Sequence, residues 1–354
     1  MYIRLRTIFR KRGNETLFLF CVEFFLCCDE KQVFFWKGGF MFEMRYWIFL
    51  TPMLCFGCAT GFVPGAPEGS IDVIAHRGAS AYAPENTMVS FRKAMELKAD
   101  WFELDVHLTA DNKLAIIHDD ELKRVTGAEG KVTQKKWDEI KNLDAGSWFS
   151  SEYKGERIPL LEDTLKLAKN KIGVYIELKS SDNDHPIIPL IIMNIAGKDK
   201  MTPELKKKLD DVIYGSKSRN ITLAQETINA VRKMKIEKQV VIQTFSPVIC
   251  YVLINEAPDL RTEFLGEESE EHPEWWNYYV LFGKLLNVAG MNVNRKHLTK
   301  ERIDQFHADG KTVAVWTVDD EEEMKKFANW GVDSIITNKP DVALNILREI
   351  GKRK

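Results

Sequence analysis

Cysteine is nearly absent from the body of this chain. Cys21, Cys27, Cys28, Cys55 and Cys58 all lie in its first sixth, and only Cys250 lies further on. That distribution argues against a disulfide framework. It argues equally against a thiolate metal site, because the Cys55/Cys58 pair has no matching pair downstream. An excess of positive charge is missing too. The formal net charge is −2, whereas an extended nucleic-acid surface needs a basic stripe. Internal repeats, heptads and low-complexity tracts are absent. The apolar run "TLFLFCVEFFLCC" (16–28) is short and broken by Glu23, too poor for a spanning helix. What remains is 354 residues, 45% hydrophobic and 29% charged, a balance that suits one large α/β domain or two small ones.

The first 70 residues read differently from the rest. In 44–58, Arg45 gives a positive start, Tyr46 to Phe56 an apolar region, and Gly57 a small residue before Cys58. That is the layout of a bacterial export signal. It resembles a lipoprotein signal, which implies cleavage that leaves a diacylated Cys58 at the new N-terminus and a membrane tether there. Cys55 and Phe56 depart from that pattern, so a plain cleaved signal stays open. Residues 1–43 show neither helical nor strand periodicity and are expected to be a leader upstream of a true start at or near Met44. "FVPGAPEGS" (62–70) is a Pro/Gly linker into the folded body, 71–350.

In the body, strand and helix alternate. Strands are expected at "IDVIA" (71–75), "WFELDV" (101–106), "GVYIEL" (173–178), "QVVIQTF" (239–245), "LRTEFL" (260–265), "AGMNVN" (289–294), "TVAVWTV" (312–318) and "VDSIIT" (332–337). Asn86 or Thr87 caps a first helix whose Met88, Phe91, Ala94 and Met95 share a face. Thr222 with Gln225 and Asp319 with Glu322 read as capping boxes, and Pro247 and Pro340 as first-turn prolines. About eight parallel-type strands over roughly 280 residues give the rhythm of an α/β (β/α)8 TIM barrel. A doubly wound sheet is the runner-up, but no Gly-rich phosphate loop follows the first strand. Two segments break the rhythm. "LTADNKLAIIHDD" (108–120) is expected to be a hairpin turning on Asp111-Asn112, which pairs Leu108 with Ala115 and Val106 with Ile117 and returns His118 beside Asp105. Residues 181–221, polar and Lys-rich, form a surface insertion.

Polar residues collect at one end of this barrel. Alternation puts Glu103 with Asp105, and Glu177 with Lys179, on inward faces at strand C-termini, where His76 and Arg77 end the first strand. Two unit charges about 4 Å apart repel by roughly 4 kcal/mol at an effective dielectric near 20, so three mutual carboxylates approach about 12. A divalent cation removes that cost. Proton uptake or pairing with Lys179 are the alternatives. All-oxygen donors suit Mg2+ or Ca2+ rather than zinc.

"AHRGASAYAPENT", "FELDVHLTADNKLAIIHDDELKRVTG", "LDAGSWF", "GERIPLLED", "IELK", "VWTV" and "GVDSIITNKP", in this order, resemble the glycerophosphodiester phosphodiesterase family over about residues 71–348. The resemblance implies a TIM barrel that hydrolyses glycerophosphodiesters to sn-glycerol 3-phosphate and an alcohol with one divalent cation. It implies His76 and His118 as the acid/base pair, Glu103, Asp105 and Glu177 as metal ligands, Arg77 and Lys179 as phosphate contacts, and Trp316 as an apolar wall. It also matches a small insertion at 119 to about 160. Two departures stand out: Asn338 replaces an Asp common in the family, and the 181–221 insertion is longer than usual. His107 reads as a bystander; His185, His272, His297 and His307 read as surface residues. "EESEEHPEWWNYY" (267–279) lies beside the mouth, either shaping the alcohol pocket or packing a helix. On the same barrel, a lysophospholipase D or phosphatidylinositol-type activity needs a longer apolar funnel, and a non-catalytic barrel needs lost site residues, which are all present. A glycosidase reading leaves Arg77, Lys179 and both histidines idle.

Overall fold

The computed structural model describes residues 2–12, 15–25, 62 and 64–353. The export-signal segment, with Met44 and Cys58, lies outside the described residues. The chain divides into two units, 1–58 and 59–354. In the first, Tyr2–Arg12 and Glu15–Phe25 pair antiparallel, Tyr2 opposite Phe25 and Arg12 opposite Glu15. Sequence periodicity does not signal this ribbon. Alternation marks a strand only where a sheet buries one face on a core, and backbone pairing needs none.

The second unit is a closed barrel of eight parallel strands. They are β1 (Asp72–Ala75), β2 (Trp101–Leu108), β3 (Gly173–Leu178), β4 (Val240–Thr244), β5 (Arg261–Gly266), β6 (Gly290–Asn294), β7 (Thr312–Trp316) and β8 (Ser334–Thr337). Each pairs with its sequence neighbour, and β8 returns to β1 with Ser334 opposite Asp72. Both faces are covered, which is why the strands read as apolar runs. Outward-facing Val73, Phe102, Leu104, Val174 and Ile176 pack under the helices, each completely buried, a change worth about 1.5–3 kcal/mol per large side chain. Inward-facing Ile74, Trp101, Tyr175, Val241, Ala314 and Ile336 fill the barrel floor. Gly173 is required there, since a Cβ would sit 2.0 Å from the Trp101 ring.

Thr87 caps helix Met88–Glu96, and Ser246 caps the helix that begins at Pro247. Two expected capping boxes are displaced. The helix Arg219–Met234 starts one turn before Thr222, capped by Ser218, and the Gln225 amide bonds Glu256 instead. The helix Glu321–Trp330 is capped by Asp320, which takes the N–H groups of Glu322 and Glu323. Asp319 is thereby released for another task.

The hairpin after β2 is shifted by one residue from the expected register. Val106 faces Ile116, His107 faces Ala115 and Leu108 faces Leu114. The reason is the turn. Thr109 closes on Lys113 through main-chain N–H and side-chain hydroxyl, and Asn112 takes φ 58, making a three-residue loop rather than a two-residue one. Ladder pairing then ends below the site, but the Ile117 N–H still bonds the Asp105 carbonyl at 3.0 Å and returns His118 to the barrel mouth. Residues after it form the small insertion with its own core of Ile117, Leu122, Val125, Val132, Ile140, Ala145 and Ile158. The 181–221 insertion folds into helices Ile188–Ile195 and Pro203–Gly215 and the first residues of the next. Among the described residues, no helix is long and apolar enough to cross a membrane.

Candidate active site

The first strand ends in a tight turn. Arg77 takes φ 54 and Gly78 φ 80, and a Cβ on Gly78 would come within 2.4 Å of the Ser90 hydroxyl, so glycine is needed at that position. The turn points the Arg77 N–H at Glu103 Oε2, 2.9 Å away. Arg77 also reaches sideways: Nη1 lies 3.0 Å from Glu85 and Nε 3.4 Å from Asp105 Oδ2.

Glu103, Asp105 and Glu177 are all buried, and one oxygen from each lies within 4.8 Å of the others. Lys179 sits against two of them, 3.3 Å from Asp105 and 2.6 Å from Glu177. Burial, then the charges of Asp105 and Glu177, push Glu103 well above the ordinary glutamate range. Burial opposes ionisation of Asp105 as well, but Lys179 and Arg77 outweigh it and hold Asp105 low. Glu177 is raised by burial in spite of Lys179. The second oxygen of Glu103 is buried with no hydrogen-bond partner. Such an orphan costs about 1–3 kcal/mol. Three carboxylates against the two cations Arg77 and Lys179 leave one negative charge. A divalent cation on the orphaned oxygen and its neighbours turns that to one positive charge, the complement of a phosphodiester anion. The donor set is all oxygen and fits Mg2+ or Ca2+.

His76 is half-buried beside the turn, with Nδ1 2.7 Å from Asn338 Oδ1. The direction of this bond follows from its neighbours. Asn338 Nδ2 donates to Asp319 at 2.5 Å, so the Asn338 oxygen faces His76 and must accept from it. The imidazole therefore carries its proton on Nδ1 and keeps a lone pair on Nε2. Burial and the adjacent Arg77 lower its pKa to about 4. His118 is oriented differently, with Nδ1 2.6 Å from Asp119. Its main-chain carbonyl is 3.0 Å from His107 Nε2, so His107 braces the hairpin from within the barrel.

A cavity of about 290 Å3 is lined by His76, Arg77, Glu103, His118, Glu177, Lys179 and Trp316. Asp105 is 1% exposed and stands behind them. All eight residues singled out from the sequence are thus brought to one place. The Trp316 indole donates to the Asn292 carbonyl at 3.2 Å, and Phe245 meets the ring edge-on at 5.6 Å. Sequence reasoning missed several supports. Asn86, read there only as a helix cap, donates to Asp105 Oδ2 at 2.7 Å. Glu85 joins Arg77 to Arg124. Asn338 and Asp319 orient His76. Asn86 and Glu85 sit in the quoted "APENT" stretch, which was the available signal for them. His185 and His272 are exposed; His297 pairs with Glu268, next to the cavity-lining Glu267, and His307 pairs with Asp333 at the opposite end of the barrel.

The sequence profile of the Glycerophosphoryl diester phosphodiesterase family matches residues 76–342. A glycerophosphodiester phosphodiesterase of Caldanaerobacter subterraneus is 32% identical over 280 residues, 79% of this chain and 98% of the relative. One from Bacillus subtilis is 31% identical over 279 residues, 76% of this chain and 84% of the relative. Among solved structures, a glycerophosphodiester phosphodiesterase from Parabacteroides distasonis superposes with TM-score 0.59 at 28% identity, covering 80% of this chain and 98% of that one. An Oleispira antarctica phosphodiesterase in complex with the product sn-glycerol-3-phosphate shares the fold, with TM-score 0.62 at 23% identity over 79% of this chain and 97% of that one.

Proposed function

The chain belongs to the glycerophosphoryl diester phosphodiesterase family and is a phosphoric diester hydrolase; from that premise we propose how its own residues work. The substrates are glycerophosphodiesters, and the products are sn-glycerol 3-phosphate and an alcohol, a step in glycerophospholipid degradation. The carrying observation is the orphaned, buried oxygen of Glu103 among three carboxylates and two cations.

Glu103, Asp105 and Glu177 hold one divalent cation, Mg2+ or Ca2+, which neutralises charge on the phosphate when bound. Arg77 and Lys179 bind the phosphate oxygens, and Trp316 walls the glycerol or alcohol side. His76 is the base. Its free Nε2 lone pair suits that role, and the role needs a neutral imidazole at working pH. His118 is the acid that protonates the leaving alkoxide. Each proton transfer is worth about 10²- to 10⁴-fold in rate. Either the substrate's own glycerol hydroxyl attacks phosphorus, giving a cyclic phosphate that water then opens, or a water attacks directly.

Purified protein, assayed on a panel of glycerophosphodiesters with and without chelator, tests this reading. Activity that chelator abolishes and Mg2+ or Ca2+ restores is expected. Full activity in excess chelator with no bound metal by elemental analysis overturns the metal role. We also propose export, with a start near Met44 and a lipid anchor at Cys58. Intact-mass measurement of the native protein checks it: a mature N-terminus upstream of Met44, or an unmodified Cys58, defeats the corresponding part.

A further inference from the structure

One charged residue outside the catalytic cavity touches the supports of two residues inside it. Arg124 sits on the short helix Lys123–Thr126 of the small insertion, 41% exposed, and lines none of the cavity. Its guanidinium is committed on every nitrogen. Nη1 and Nη2 grip the two oxygens of Glu85 at 3.0 and 2.7 Å, and Nε donates to Asp119 Oδ2. Glu85 Oε1 also accepts from Arg77 Nη1 at 3.0 Å. The other oxygen of Asp119 lies 2.6 Å from His118 Nδ1. A carboxylate only accepts, so the ring donates. The result is an unbroken chain from Arg77 through Glu85, Arg124 and Asp119 to His118.

We propose that Arg124 is a positioning residue for the reaction, holding the phosphate-binding Arg77 and the acid His118 in a fixed relation to each other. The inference rests on the phosphodiesterase reading above and adds to it a residue that touches no substrate.

Local geometry is the first argument. Asp119 follows His118 in the chain, so by itself it moves with the same loop and cannot fix the imidazole against the barrel. Arg124 ties Asp119 to Glu85, which belongs to the turns between β1 and the helix Met88–Glu96. Arg77 thus comes from the end of β1 and His118 from the hairpin after β2, and cleavage needs both at once, one at the phosphate and one at the leaving oxygen. A misplacement of about 1 Å between such groups costs up to about 100-fold in rate. Donor chemistry is the second argument. Two carboxylates on separate elements need a flat fork with donors along two edges, which a guanidinium supplies and an ammonium does not. Burial opposes ionisation of Glu85 and of Asp119, yet Arg124, with Arg77 at one and His118 at the other, holds both below their ordinary values. Packing is the third argument. Trp148, 42% exposed, has its ring centroid 5.8 Å from the Arg124 guanidinium, and its indole N–H is held by the Ala145 carbonyl at 2.9 Å. The small insertion thereby gains a task in the reaction, because its helix carries the link.

The test measures kcat and KM for glycerophosphocholine and for the nitrophenyl diester of glycerol phosphate, with the full chain and Mg2+. Arg124→Met is expected to lower kcat on glycerophosphocholine by about 10- to 100-fold. On the nitrophenyl diester, whose leaving group needs little help from His118, kcat should stay within about threefold. KM should rise on both by up to about fivefold, through the loosened Arg77. Arg124→Lys keeps the charge but cannot bridge both carboxylates, so it shares most of the loss; it carries the same comparison if the Met variant does not fold. In a His118→Ala background, Arg124→Met should cost kcat no more than about twofold, since its effect on kcat passes through His118. Equal kcat losses on the two diesters, full activity in Arg124→Lys, or losses that add in the double variant overturn the proposal. Hydrolysis by the unaltered protein, with a leaving-group-dependent loss in His118→Ala, would in each of those cases still support the phosphodiesterase reading. Equal losses on the two diesters in His118→Ala itself defeat the acid assignment and the proposal together.

Discussion

Exchanging the two side chains that orient His76 isolates the role of its charge state. In Asp319→Asn/Asn338→Asp, a hydrogen bond still joins the two positions, now donated from position 319. Position 319 keeps an oxygen for the Thr337 hydroxyl and the Asn338 N–H, which Asp319 Oδ1 accepts at 2.9 and 2.8 Å. Net charge is unchanged, but a carboxylate now stands where the Asn338 amide oxygen lies 2.7 Å from His76 Nδ1. At an effective dielectric near 20 that separation gives an attraction of about 6 kcal/mol, an upper limit because His76 borders an open cavity. Measured carboxylate partners move a pKa by about 1–3 units, and a charged partner favours the imidazolium. The sign is therefore upward, from about 4. A two-unit rise leaves roughly nine-tenths of the base neutral at pH 7 and roughly one-tenth at pH 5. The acidic limb of kcat/KM should move up by about 1–3 units, with a loss of about tenfold at pH 5 and little change at pH 7. The assay is the pH profile of both proteins on glycerophosphocholine at saturating Mg2+. Coincident acidic limbs in two equally folded proteins would refute the claim that neutral His76 is the base.

Glu103→Gln keeps the shape and removes a charged ligand, so activity should fall by orders of magnitude while the thermal midpoint is kept or raised; unchanged activity by choline release contradicts the ligand assignment. Asn86→Ala strips the amide from Asp105 Oδ2 and should weaken the apparent metal affinity by about 10- to 100-fold, read from activity against free Mg2+. His118→Ala should be far less impaired on a nitrophenyl diester, whose leaving group needs little protonation, than on a choline diester; equal losses reject His118 as the acid.

Much of this site is legible before any coordinates, for a physical reason. Strand alternation is a local rule with a period of two, so "FELDV" and "YIELK" announce which carboxylates face inward and which apolar residues face the helices. The eight strand positions follow instead from short apolar runs, covered on both faces, and from the Pro and Ser/Thr signals between them. Where a local rule has near-equivalents, sequence reading slips. A two-residue and a three-residue turn both fit "TADNK", and only the Thr109–Lys113 closure selects the longer, moving the hairpin by one residue. Adjacent Asp319 and Asp320 both fit a helix cap, and the packing of β8's end against Asp319 decides that Asp320 does the capping.

What the sequence determined by itself is the inward set Glu103, Asp105, Glu177 and Lys179, the turn at His76 and Arg77, and the barrel that gathers them. Only the tertiary structure decided that Asn86 clamps Asp105, that Asn338 and Asp319 fix the His76 tautomer, and that Arg124 closes on Glu85. These contacts join residues far apart in the chain, Asn338 and His76 by 262 positions. No local period encodes them, because the distance between two such groups is set by closure of the whole barrel, not by the dihedral angles of either segment.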